Sequence, residues 1–141
     1  MVRILIVTGL VVGVLATVSQ AALPPFDTTR FYSEAGFTQA IKPYNDAIAK
    51  DANDADAHYW LGVAYLHGMR LWRFGFAPYA GGYGAKAVAS LERAIKLRPA
   101  SLNARLALLE VYSMTGNREA YLAAFDQIVS TGRPAPLAPP K

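Results

Sequence analysis

The chain has 141 residues, 53% of them apolar and 17% charged, with a net charge of +4 and no cysteine. That length fits one small domain once a targeting segment is set aside. Lack of cysteine excludes disulfides, thiolate metal sites, covalently attached haem, an acylated lipoprotein N-terminus and a cysteine nucleophile; with two histidines, a metal centre would have to lean on the ten carboxylates.

The first segment reads as an address. Arg3 precedes an uncharged stretch, Ile4 to Val18, and Ser19-Gln20-Ala21 places small side chains one and three residues before a cut after Ala21. These are the three parts of a secretory signal over residues 1–21, whose removal gives a periplasmic or secreted product. The alternative is retention. Ile4 to Ala22, as a helix, spans about 28 Å, close to one bilayer core, and would anchor the remainder outside the cytoplasm in the inner membrane. Thr8, Gly9, Gly13, Thr17, Ser19 and Gln20 dilute that stretch and favour cleavage. Residues 22–36, with Pro24-Pro25, read as an extended segment.

From residue 37 onward apolar side chains recur at helical spacing. Leu61, Ala64, Tyr65 and Gly68 share one face, as do Leu91, Ala94 and Ile95, and again Leu108, Val111 and Tyr112. The pattern predicts helices over about 37–50, 55–67, 85–98, 102–115 and 118–131. Pro43 should kink the first helix or delay its start. Pro99 closes the third and Gly116 turns the fourth. The tail 133–141 holds four prolines and reads as extended and disordered.

The helices repeat. Phe37 to Ile48, Gly84 to Pro99 and Glu119 to Val129 share one pattern; Trp60-Leu61-Gly62-Val63-Ala64-Tyr65 and Ala107 to Gly116 share a complementary one. Ala87 to Tyr121 is 34 residues, whereas Ala40 to Ala87 and Leu61 to Leu108 are both 47. Two equal intervals fix one register with one insertion. The pattern resembles the two helices of the tetratricopeptide repeat over residues 37–132. The resemblance implies an all-α fold, a short helix-turn-helix repeat solenoid of about two and a half repeats, whose first repeat lacks its first helix.

The insertion, 68–84, carries five glycines, Arg70 and Arg73, with Trp72, Phe74 and Phe76 alternating as a short strand would. Arg70, Trp72, Arg73, Phe74, Phe76, Tyr79 and Tyr83 are therefore candidates for partner contact, since aromatic and arginine side chains dominate interface hot spots. The same rings could instead fold back and cap the short solenoid. Charge is segregated: acids dominate Asp27–Asp56 and bases dominate Arg70–Arg105.

In the family, the first helices of successive repeats line a groove for partner peptides. By the register above those positions are Asp56, Tyr59, Val63 and Leu66 in one repeat and Asn103, Leu106, Glu110 and Ser113 in the next. Asp56 and Glu110 argue against a basic clamp for acidic C-terminal peptides. No phosphate loop, nucleophile elbow, acid–base pair or zinc spacing survives inspection: Ala85 and Ala87 flank Lys86, and His58 and His67 lie nine apart. The sequence thus points to a non-enzyme without cofactor or metal. It would bind another protein as scaffold, adaptor or assembly factor of the bacterial envelope, with self-association open and nucleic acid ranked last. Two alternatives stand beside it. One is a membrane-anchored accessory subunit stabilising the exterior face of a larger complex; the other is a small-molecule binder or enzyme using Tyr79, Tyr83, Arg70 or Arg73.

Overall fold

Four of the five helices begin where a side chain stands in for a missing backbone acceptor; the third starts at Gly82 without one. In the computed structural model, which describes residues 22–132, the helices are α1 (Glu34–Lys50), α2 (Ala55–Arg73), α3 (Tyr83–Leu97), α4 (Leu102–Thr115) and α5 (Arg118–Gly132), with one 3-10 turn at Pro78–Ala80. The expectations for residues 1–21 and 133–141 lie outside the described residues. Ser33 Oγ accepts from the Gly36 N–H at 3.1 Å and Asp54 from Ala57 at 2.9 Å. Ser101 and Asn117 do the same for α4 and α5. Gly116 ends α4 in the left-handed region, φ 70°, letting the Asn117 N–H donate to the Tyr112 carbonyl at 3.1 Å.

Two local expectations are corrected. α1 starts three residues earlier than expected and runs through Pro43. Phe37, Ile41, Tyr44 and Ala47 bury one continuous face, which outweighs the roughly 3 kcal/mol that an internal proline costs. α2 continues to Arg73, so Trp72 is helical and no strand forms over 72–76. Gly68 does not stop the helix because it serves packing: a Cβ there would lie 2.7 Å from the Tyr83 ring.

The core forms between successive helices. Phe37, Ile41 and Tyr44 of α1 meet Leu61 and Ala64 of α2. Leu66 and Met69 of α2 meet Ala87 and Leu91 of α3 and Leu108 and Val111 of α4. At Gly62 the α2 backbone approaches α3 so closely that a Cβ would stand 2.6 Å from Leu91 Cγ. Leu71 packs under the 3-10 turn with Ala77 and Ala80.

No helix precedes α1 among the described residues; residues 22–33 form an extended strap across α1 and α2 instead. Phe26, 5% exposed, packs against Phe37, Tyr44 and His67. A strap has no helical ladder, so its carbonyls need outside donors. Tyr44 Oη donates to Pro24 O at 2.9 Å, His67 Nε2 to Arg30 O at 2.8 Å and Tyr79 Oη to Tyr32 O at 2.8 Å. Among the described residues no buried side-chain nitrogen or oxygen lacks a partner.

Candidate interaction surfaces

The groove positions on α2 and α4 fall into three kinds. Asp56, Tyr59 and Asn103 line one cleft of about 170 Å³ with Trp60, Arg98 and Ser101. Asp56 Oδ1 accepts from Arg98 Nη1 at 2.6 Å on the exposed surface. Val63 is half-buried, while Leu106 and Ser113 are exposed. Leu66 is 1% exposed and belongs to the core, so it cannot meet a partner; its side chain points between α3 and α4 rather than along the stripe with Tyr59 and Val63.

Glu110 is held by Arg70, through Nε to Oε1 at 2.6 Å and Nη2 to Oε2 at 2.5 Å. That bond to Glu110 raises the Arg70 pKa above its usual range. The groove's charges therefore answer one another within the chain.

The 68–84 stretch divides between capping and exposure. Tyr79 donates into the strap, and Tyr83 lies 5.1 Å, ring to ring, from both Phe37 and Tyr65. Burial pushes both hydroxyls above the ordinary tyrosine pKa. These two rings are structural. Trp72, Phe74 and Phe76 instead remain 51%, 71% and 61% exposed. They are presented by a tight turn at the end of α2, where the Phe74 and Phe76 N–H groups both donate to the Leu71 carbonyl. Gly75, φ 81°, provides the left-handed residue this turn needs. A Cβ at Gly81 would come within 3.0 Å of Trp72 Nε1, so the indole rests against that glycine.

A fourth ring joins them from the strap. Phe31, 68% exposed, packs edge-on against Phe76 at 5.1 Å. It was not among the candidates read from sequence. The available signal was its neighbour: in extended backbone, adjacent side chains face opposite ways, so Phe31 points out once Tyr32 points in. Arg30 and Arg73, both exposed, neighbour Phe31 and Trp72 in sequence, and the Arg30 guanidinium lies 5.7 Å over the Tyr32 ring. Asp27 also lies on the strap, its pKa held down chiefly by the Thr29 hydroxyl.

The strap sets the polarity of the molecule. Ala22 and Leu23 line a cleft with Asp54 and Asp56 at the start of α2, whereas Phe31 meets Phe76 beyond its end. Ala22 therefore lies toward the start of α2 and Phe31 toward its end.

Both histidines serve backbone carbonyls: His67 binds Arg30 O, and His58 Nε2 lies 3.0 Å from Ala52 O. Among the described residues no cluster of three or more His, Asp or Glu is placed to hold a metal ion, and no helix is long and apolar enough to cross a membrane.

Residues 30–68 match the family model described as TPR repeat, a span that covers α1 and most of α2. Neither curated proteins nor solved structures give a significant match. Repeats of this family generally mediate protein–protein interaction. Residues 30–68 are thus similar to a tetratricopeptide repeat, within a chain whose described elements are all helical.

Proposed function

We propose that this chain is a non-catalytic docking module of the bacterial envelope, a scaffold, adaptor or assembly factor that holds a protein partner at the aromatic end of α2. The observation that carries the reading is the cluster of Phe31, Trp72, Phe74 and Phe76, each more than half exposed although large rings are ordinarily buried. Exposed large apolar side chains gathered at one end of a helix, with Phe31 and Phe76 in contact, mark an interaction site. The exposed Arg30 and Arg73, next to Phe31 and Trp72 in sequence, suit a partner segment that offers an apolar side chain flanked by carboxylates. The interior of the α2–α4 groove contributes less, because Leu66 is buried and Arg70 and Glu110 bind each other.

A second reading keeps residues 4–22 in the inner membrane and makes the chain an accessory subunit of a membrane complex. The separation of Ala22 from the patch supports it: an anchored chain would present its rings away from the point of attachment. Co-purification from native membrane and soluble envelope fractions tests both. Trp72→Ser with Phe76→Ser should abolish recovery of the partner while leaving the melting temperature unchanged. Undiminished recovery would sink the docking role of the patch. An intact mass starting at Ala22 would remove the anchored reading.

A further inference from the structure

We propose that the open α4–α5 edge is a self-association surface that pairs two copies of this chain about a two-fold axis. The argument begins with register. α2 and α4 are related by 47 residues and α3 and α5 by 34. In the inner repeat Tyr59, Val88, Leu91 and Ile95 pack together with Leu108 and Val111 of the next helix. Their equivalents in the last repeat are Leu106, Leu122, Phe125 and Val129, which are 47%, 52%, 48% and 41% exposed. These side chains have the same placement and no following helix among the described residues. Leu102, 52% exposed, extends the face by one turn of α4.

Three observations select a second copy as occupant. The opposite end of the solenoid is closed, because the strap lies over α1 with Phe26 buried beneath it. Head-to-tail stacking therefore has no receiving face, and an edge that mates with itself closes as a two-fold pair. The charge is also suitable. Residues 102–132 carry Arg105 and Arg118 against Glu110, Glu119 and Asp126, whereas residues 70–98 carry six bases against Glu92 alone. The nearly neutral edge can face its own image, and the basic middle would repel it. Finally, the area suffices. Five large apolar side chains at about half exposure offer on the order of 400 Å² per copy, an apolar centre for a standard interface of about 800 Å² per partner.

The absence of native cysteine makes the pairing directly testable in the full chain. Phe125→Cys lies near the proposed axis and should form a disulfide-linked dimer under mild oxidation. Phe74→Cys, at an even more exposed position (71% against 48%) but on the aromatic patch, should not. Sedimentation equilibrium of the unmodified chain should show a dimer at about 100 µM, and Phe125→Asp should shift it to monomer with its helical circular dichroism retained. Leu122→Asp gives the same reading if Phe125→Asp fails to fold. A monomeric parent chain, a dimer that survives both aspartates, or equal crosslinking through Phe74→Cys would each overturn the proposal.

Discussion

Arg70 of α2 and Glu110 of α4 grip each other through two parallel hydrogen bonds across 40 residues of sequence. Each residue, considered alone, has the chemistry of a partner-binding site; together they form an internal brace. Both side chains are 40% exposed, so water screens the pair. Arg70→Ala or Glu110→Ala should therefore cost about 1 kcal/mol or less, and a double-mutant cycle should return a coupling of roughly 0.2–1 kcal/mol that shrinks in high salt. Partner recovery unchanged in Glu110→Ala, measured beside the urea midpoint, would establish the brace as structural only.

Gly62 sets the distance between α2 and α3. Gly62→Ala would push a methyl to 2.6 Å from Leu91 Cγ and 3.3 Å from the Leu91 backbone nitrogen. Overpacking of this kind costs about 1–3 kcal/mol. Gly82→Ala is the control, since nothing lies within 4 Å of its Cβ position and its φ of −98° suits an L-residue. That substitution should be neutral or stabilise by about 0.5 kcal/mol through the unfolded state. Thermal melts of the two variants give the comparison.

The strap should loosen before the helices do. Tyr44→Phe and Tyr79→Phe each strand one strap carbonyl, at Pro24 and Tyr32, at a cost of about 1–3 kcal/mol if the carbonyl stays dry. His67→Phe removes the donor to Arg30 O. Limited trypsin digestion reads this out at Arg30, where cleavage should accelerate in all three variants. Unchanged cleavage would mean that Phe26 alone seats the segment.

Tyr112 gives the fold a defined alkaline limit. Burial first, and the hydrogen bond to Glu92 at 3.0 Å second, push its pKa up to about 12. The folded chain thus keeps a proton that the unfolded chain releases near pH 10. Stability from this group is full below pH 10 and is lost as pH rises from 10 to 12. Tyr112→Phe should flatten that part of the profile. The urea midpoint of the parent should fall relative to that of the variant between pH 9 and pH 12; a parallel pair of profiles would remove Tyr112 as the cause.

Helix positions were legible because they rest on local rules. Apolar side chains recur every three or four residues, Pro99 closes α3 and Gly116 turns α4, whereas the cap at Ser33 was not legible and α1 begins earlier than the spacing predicts. The end of α2 was hidden because Gly68 resembles a stop until Tyr83, fifteen residues later, is seen lying against it. The division of the 68–84 rings was hidden for the same reason. Tyr79 and Tyr83 are structural through Tyr32, Phe37 and Tyr65, partners that no local pattern names. Leu66 shared a spacing with Tyr59 and Val63, yet a helix buried on two sides has two apolar stripes, and spacing alone does not separate them.

The three donors that seat the strap come from residues 44, 67 and 79. The segment at the start of the domain consequently has no complete binding site until the chain has been made as far as the 3-10 turn. Its closure is a long-range event with a high contact order, and such contacts form late. A chain gripped near Ala22 while the rest emerges would have formed helices and an unlatched first core, with Phe37 and Tyr44 waiting for Phe26. Release of that grip would complete the fold, and with it bring Phe31 beside Phe76. The patch would then gain its fourth ring only on a finished molecule, so that the complete set reports the maturity of the chain that carries it.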